Sequence, residues 1–145
     1  MGTHPVDKKR QLIFSVCGYK KTGKTTLVSG VTRLLSERGY KVAVIKHDGH
    51  DFEGDVPGTD SWRHMQAGAY GTAVFSPYRF LVQKKCPDPQ IQDLISLFPE
   101  AQIILIEGLK DAGLPRYICT DPAISEHDIP VLAERIENLY KEGDL

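Results

Sequence analysis

The run Gly18-Tyr19-Lys20-Lys21-Thr22-Gly23-Lys24-Thr25 constrains this chain more than any other feature. It fits G-x-x-x-x-G-K-[ST] at every fixed position, and its setting matters as much as its spelling. Residues 12–17, Leu-Ile-Phe-Ser-Val-Cys, read as a buried strand that runs straight into the loop. Residues 24–38 read as a helix, because Leu27, Val28, Val31, Leu34 and Leu35 recur on one stripe. A buried strand, a glycine-rich turn and a helix in that order make a phosphate cradle. Backbone N–H groups curl round the anion, and the helix start adds positive potential. Lys24 can reach the β- and γ-phosphates of a nucleoside triphosphate, and Thr25 can offer its hydroxyl to Mg²⁺. Gly18 to Thr25, with Thr26 beside them, are therefore the candidate nucleotide contacts.

The rest of the chain supplies the sheet such a loop needs. Arg38-Gly39 is a helix stop, and residues 41–46 read as a second buried strand. The resulting strand–helix–strand unit implies parallel strands. A polar loop over 47–59 precedes a short helix predicted over 60–67, with Asp60 suited to be its N-cap. Strands are predicted over 71–76 and 78–83, a helix over 89–98 and a strongly buried strand over 102–106. A weak strand over 117–120 and a helix over 129–141 follow. The expected fold is α/β: a mostly parallel sheet with helices on both faces, of the P-loop NTPase type. At 145 residues the chain fits one domain spanning 1–145, with residues 1–10 expected to be flexible.

Composition excludes several classes. The hydrophobic fraction of 41% is enough for one core, and a formal charge of -1 gives no general attraction for nucleic acid or a membrane surface. No apolar run reaches the ~18 residues of a membrane span. The polar start and the short apolar stretch after it do not read as a signal peptide. Cys17, Cys86 and Cys119 are odd in number and widely spaced, which gives neither a disulfide framework nor a CxxC site. A reduced, cytoplasmic setting is the expectation.

Two acidic features complete the candidate site. Glu107 ends the 102–106 strand, and parallel sheets bind ligands at the C-terminal ends of their strands. It is the candidate acid beside Mg²⁺. The 47–59 loop leaves the second strand at the same edge, and Asp48, Asp51, Glu53, Asp55 and Asp60 crowd it. Asp48 is a candidate for the metal, directly or through water. His47, His50 and Asp51 admit three readings: contact with nucleotide, magnesium or a partner substrate; a transition-metal site; or a solvated loop. Arg63 is either a phosphate contact or a surface cation.

Together, these residues resemble the MobB family. They are the phosphate loop through Thr26, Lys46-His47-Asp48, Pro57-Gly58-Thr59-Asp60-Ser61 with Arg63-His64, Ala67-Gly68-Ala69, and Ile106-Glu107-Gly108-Leu109-Lys110. The match runs over roughly residues 11–110, in family order. The resemblance implies a GTP-binding homodimer with feeble GTPase activity. It also implies an adapter that supports a MobA-like guanylyltransferase joining GMP to molybdopterin. By position it carries over Lys24 and Thr25 as phosphate and magnesium ligands and Glu107 as the strand-end acid. Asp48, Asp60 and Arg63 carry over as motif positions near the site. Thr59 stands where the family usually has lysine, and Leu109 where it usually has phenylalanine.

The residues themselves do not spell guanine. The Asn-Lys-x-Asp reader is absent, since the single asparagine is Asn138, followed by Leu139. Asp121, after the weak last strand, is the candidate acceptor for guanine N1 and N2. GTP therefore rests on the resemblance. Two other functions use the same loop: a small-molecule kinase, and an autonomous motor or partition-type NTPase. A kinase lid usually brings several arginines, whereas only Arg63 and Arg79 lie mid-chain. Partition-type ATPases carry a lysine where this chain has Tyr19.

Overall fold

The computed structural model describes residues 10–18, 22–109, 113–119 and 126–143. In chain order its elements are β1 (Leu12–Gly18), α1 (Lys24–Glu37), β2 (Val42–Lys46), α2 (Asp60–Gln66), β3 (Gly71–Phe75), β4 (Phe80–Lys84), α3 (Ile91–Ile95), β5 (Ile103–Glu107), β6 (Arg116–Cys119) and α4 (Asp128–Glu142). Contacts group the chain into two compact units, one of residues 1–47 and 91–145, the other of residues 48–90.

The first unit is built on a four-stranded parallel sheet in the order β2-β5-β1-β6. The centre goes to the strands that cannot tolerate water. All five residues of β5 are buried, as an unbroken Ile-Ile-Leu-Ile run requires. β2 lies at one margin of this sheet, with Val44 and Lys46 exposed. β1 and β2 are parallel, as the strand–helix–strand pattern predicts, but β5 is interposed between them.

Alternation along the strands divides the core into two. Phe14, Val16, Ile103 and Leu105 point to one face and pack with Leu27, Val28, Val31 and Leu35 of α1 and Leu132, Ala133 and Ile136 of α4. Ile45, Ile104 and Ile106 point to the other face and meet Ile91, Leu94 and Ile95 of α3, and Ala101. Each such side chain, fully buried, contributes about 1.5–3 kcal/mol. Helices thus cover both faces, as the sequence led us to expect. Where α1 crosses α4, a β-carbon on Gly30 would come within 2.7 Å of the Ile129 side chain, so a larger residue there requires Ile129 to shift.

At the N-terminal ends of the strands the elements are tied by polar and aromatic contacts. The backbone N–H of Lys41 donates to Gln102 Oε1 at 2.8 Å, and Gln102 Nε2 donates to the Tyr140 hydroxyl at 3.4 Å. Tyr40 meets Tyr140 edge-on at 5.4 Å, and the Arg10 guanidinium lies over the Tyr140 ring.

In the second unit β3 and β4 pair antiparallel as a separate two-stranded sheet, from Gly71↔Lys84 to Phe75↔Phe80. α2 packs against β3. Two local expectations change. The N-cap of α2 is Thr59, and Asp60 is the first helical residue, an acid in the first turn. The helix expected over 89–98 is only the five residues of α3. Its continuation tightens into turns, Leu97 N–H to Leu94 C=O and Phe98 N–H to Ile95 C=O, ahead of Pro99. Among the described residues no helix is long and apolar enough to cross a membrane.

Candidate functional site

β1 delivers its last residue, Gly18, to the top of the sheet, and α1 begins six residues later at Lys24. Gly18 lies beside the end of β6, in register with Cys119. Its φ is 144°, and a β-carbon there would sit 2.5 Å from the Cys119 carbonyl oxygen. Only glycine fits both the conformation and the space. Gly23 is the N-cap of α1, at φ 83°. It offers no side-chain acceptor to the first N–H groups of the helix, and the first turn carries no acid. A helix start of this kind suits an anion.

Lys24 donates its ammonium to the Gly18 carbonyl at 2.9 Å, which draws it back to the end of β1. Thr25 Oγ1 donates to Glu107 Oε1 at 2.7 Å. Glu107 is only 7% exposed, and its neighbours are fixed by backbone bonds: its own C=O accepts from His47 N–H, and the next N–H, of Gly108, donates to Val16 C=O, both at 2.8 Å. The Thr25 hydroxyl spends its proton on Glu107 and keeps its lone pairs for a cation. Thr25 and Glu107 together are hard oxygen donors, few in number, which suits a magnesium ion that keeps most of its waters. Beside Glu107 a cleft of about 450 Å³ runs along α1, lined by Val28, Ser29, Thr32, Arg33 and Val44.

Gly18 ends β1, Thr22 and Gly23 lead into α1, and Lys24, Thr25 and Thr26 open that helix, with Glu107 bonded to Thr25. Tyr19, Lys20, Lys21 and Asp121 lie outside the described residues. Asp48, Asp60 and Arg63 belong to the 48–90 unit and are exposed within it. There Asp48 Oδ1 accepts from the His50 N–H at 3.0 Å. Two other acids of the loop hold α2: Trp62 Nε1 donates to Glu53 Oε1 at 2.8 Å, and Ser61 Oγ donates to Asp55 Oδ1 at 3.1 Å. Among the described residues no group of three or more His, Cys, Asp or Glu is placed to hold a metal, so the zinc reading of His47, His50 and Asp51 gains no support.

Sequence reasoning missed Cys119. It is 1% exposed, and burial raises its thiol pKa, with Cys17 adding to the rise and Lys24 opposing it. The short polar segment around it gave little sign that it would seat beside Gly18.

The model of the family described as MobB, Molybdopterin guanine dinucleotide synthesis protein B, matches residues 13–137. The chain belongs to the MobB family. It is 32% identical over 111 residues to the molybdopterin-guanine dinucleotide biosynthesis adapter protein of Escherichia coli, covering 73% of this chain and 63% of that protein. To the adapter protein of Haemophilus influenzae it is 31% identical over 109 residues, covering 73% and 61%. The chain thus spans less than two thirds of the length of either MobB relative. The crystal structure of Bacillus subtilis MobB is similar in fold, with a TM-score of 0.66 at 30% identity, over 83% of this chain and 72% of that one. The MobB family match takes in the phosphate loop, Glu107 and the 48–90 unit alike.

Proposed function

We propose that this chain is a GTP-binding adapter that supports the attachment of GMP to molybdopterin in molybdopterin guanine dinucleotide biosynthesis. The observation that carries the reading is the Lys24–Thr25–Glu107 arrangement at the head of α1. The adapter proteins of Escherichia coli and Haemophilus influenzae, similar over most of this chain, support it. In this reading the whole of 1–145 serves as one nucleotide-binding domain. The uncapped helix start and Lys24 hold the triphosphate, with Tyr19, Lys20 and Lys21 completing the loop. Thr25 and Glu107 hold Mg²⁺, with Asp48 as a further ligand. A magnesium ion there neutralises phosphate charge. Asp60 and Arg63 are further candidate contacts, and Asp121 reads guanine. The protein acts in the cytoplasm as a homodimer, alongside a MobA-like guanylyltransferase and molybdopterin. The homodimer fits the apolar hairpin, where Val74, Phe75, Phe80 and Leu81 are more than half exposed.

Calorimetric titration of the protein with GTP, ATP and molybdopterin, with and without magnesium, tests this reading. Magnesium-dependent binding of GTP in preference to ATP is the expected result. Preference for ATP, or phosphorylation of a metabolite, would replace it with a kinase.

A further inference from the structure

We infer that residue 119, at the end of β6, is a positioning residue for the phosphate loop, its bulk setting where Gly18 lies and so how tightly the loop holds a polyphosphate. The inference rests on the proposed nucleotide-binding reading.

Three observations carry it. First, the two strands leave no slack. β6 is in register with β1 from Ser15↔Arg116 to Gly18↔Cys119, and the Ser15 N–H donates to the Pro115 carbonyl at 2.9 Å. Second, Gly18 lies close to the Cys119 backbone and β-carbon. A β-carbon on Gly18 would lie 2.5 Å from the Cys119 carbonyl oxygen and 2.9 Å from its β-carbon. Third, Cys119 is confined from the other side as well. It is 1% exposed and belongs to the cluster containing Val28 and Val31 of α1 and Leu132, Ala133 and Ile136 of α4. A larger side chain has helices on one side and Gly18 on the other. Close-packed interiors answer such an insertion by shifting backbone. Gly18, the last residue of β1, is the neighbour on that side and takes up part of the shift.

A displaced Gly18 does not stay a local matter. Its carbonyl is the acceptor that holds the Lys24 ammonium at 2.9 Å. Moving that oxygen moves the cation meant for the β- and γ-phosphates. The base plays no part in this chain of contacts, so GTP and ATP are affected alike. Cys119 touches no phosphate itself; it acts through Gly18 and Lys24.

The test compares Cys119→Val and Cys119→Ala, titrating each with Mg-GTP, Mg-ATP and Mg-tripolyphosphate and recording its thermal midpoint. Cys119→Val should weaken all three probes by the same factor, about tenfold. Cys119→Ala should do the reverse: affinity within about threefold of wild type, with a lower midpoint from the lost packing. Cys119→Thr has the same branching and replaces Cys119→Val if that variant does not fold. A folded Val or Thr variant that binds as wild type does, or that loses GTP alone, overturns the inference. Wild-type protein that binds none of the probes refutes the nucleotide reading, and amide resonances then decide the positioning claim. Shifts at Gly18 and Lys24 exceeding those at Phe14 and Ile103 support it; the opposite pattern sinks it.

Discussion

Lys24 donates to the Gly18 carbonyl while Thr25, the next residue, turns its hydroxyl to Glu107. Their replacements should therefore fail differently. Lys24→Ala should lose about 1.5–3 kcal/mol of triphosphate affinity, the contribution of a charge-assisted contact, with the thermal midpoint little changed. Unchanged affinity in a folded Lys24→Ala protein would remove Lys24 from the site. Thr25→Ala should weaken binding more in magnesium than in EDTA, and Glu107→Gln should shift the magnesium dependence in the same way. Equal losses in both buffers would show that neither residue serves the metal. A third residue-scale effect lies at the other end of the sheet. Burial, with a hydrogen bond to Glu137, raises the Tyr40 hydroxyl above the ordinary phenol value. The folded state thus favours the protonated phenol. Its contribution to stability is present below about pH 10 and is lost as pH rises through the raised folded value. Urea midpoints of wild type and Tyr40→Phe should differ by a constant amount from neutral pH to about 9 and converge above 10. A constant difference throughout would remove Tyr40 as the source. That Thr25 and Glu107 come together beside Lys24 was legible in the sequence, because a loop spelling and a strand-end acid are local patterns. Cys119 was not, because its role depends on which strand lies next to β1.

α1 shows what periodicity can and cannot reveal. Its apolar stripe and its Arg38-Gly39 stop located the helix within a residue of its end, since both signals are local. The notch at Gly30 was invisible, because α4 supplies the other half of that contact. Gly30→Val tests the notch. A helix-interior glycine replaced by valine gains under about 1 kcal/mol in propensity. Overpacking against Ile129 costs about 1–3 kcal/mol, so the net change should be destabilising. A higher urea midpoint for Gly30→Val would mean that Ile129 moves aside. The sequence marked β3 and β4 as strands but gave no sign that they would form a sheet of their own. Val, Phe and Leu at alternating positions mark a strand without naming its neighbour. The same limit hid the insertion of β5 between β1 and β2, although the unbroken apolar run of β5 did signal burial on both faces.

At the scale of the whole molecule the proposed adapter is expected to hold nucleotide rather than turn it over. Just past Glu107-Gly108 the chain continues Leu109-Lys110-Asp111, with no glutamine to orient water. GTP hydrolysis by the protein alone is expected at about 10⁻⁴ to 10⁻² s⁻¹ in single-turnover measurements with labelled nucleotide. Turnover near about 1 s⁻¹ without a partner would show a complete catalytic set and replace the adapter with an autonomous NTPase. The interposed strand has a consequence for biogenesis. Thr25 meets Glu107 across 82 positions of chain, and β5 is the strand that joins β1 to β2. A ribosome therefore releases the phosphate loop and α1 long before the acid that steadies Thr25 exists. Until β5 slots home, the early segment has no sheet to stand on and nothing to hold the Thr25 hydroxyl in place. If the proposed reading holds, tight, magnesium-dependent nucleotide capture is expected only once residue 107 has emerged and β5 has joined the sheet, and ligand protection from proteolysis should switch on abruptly at that stage rather than rise in proportion to length.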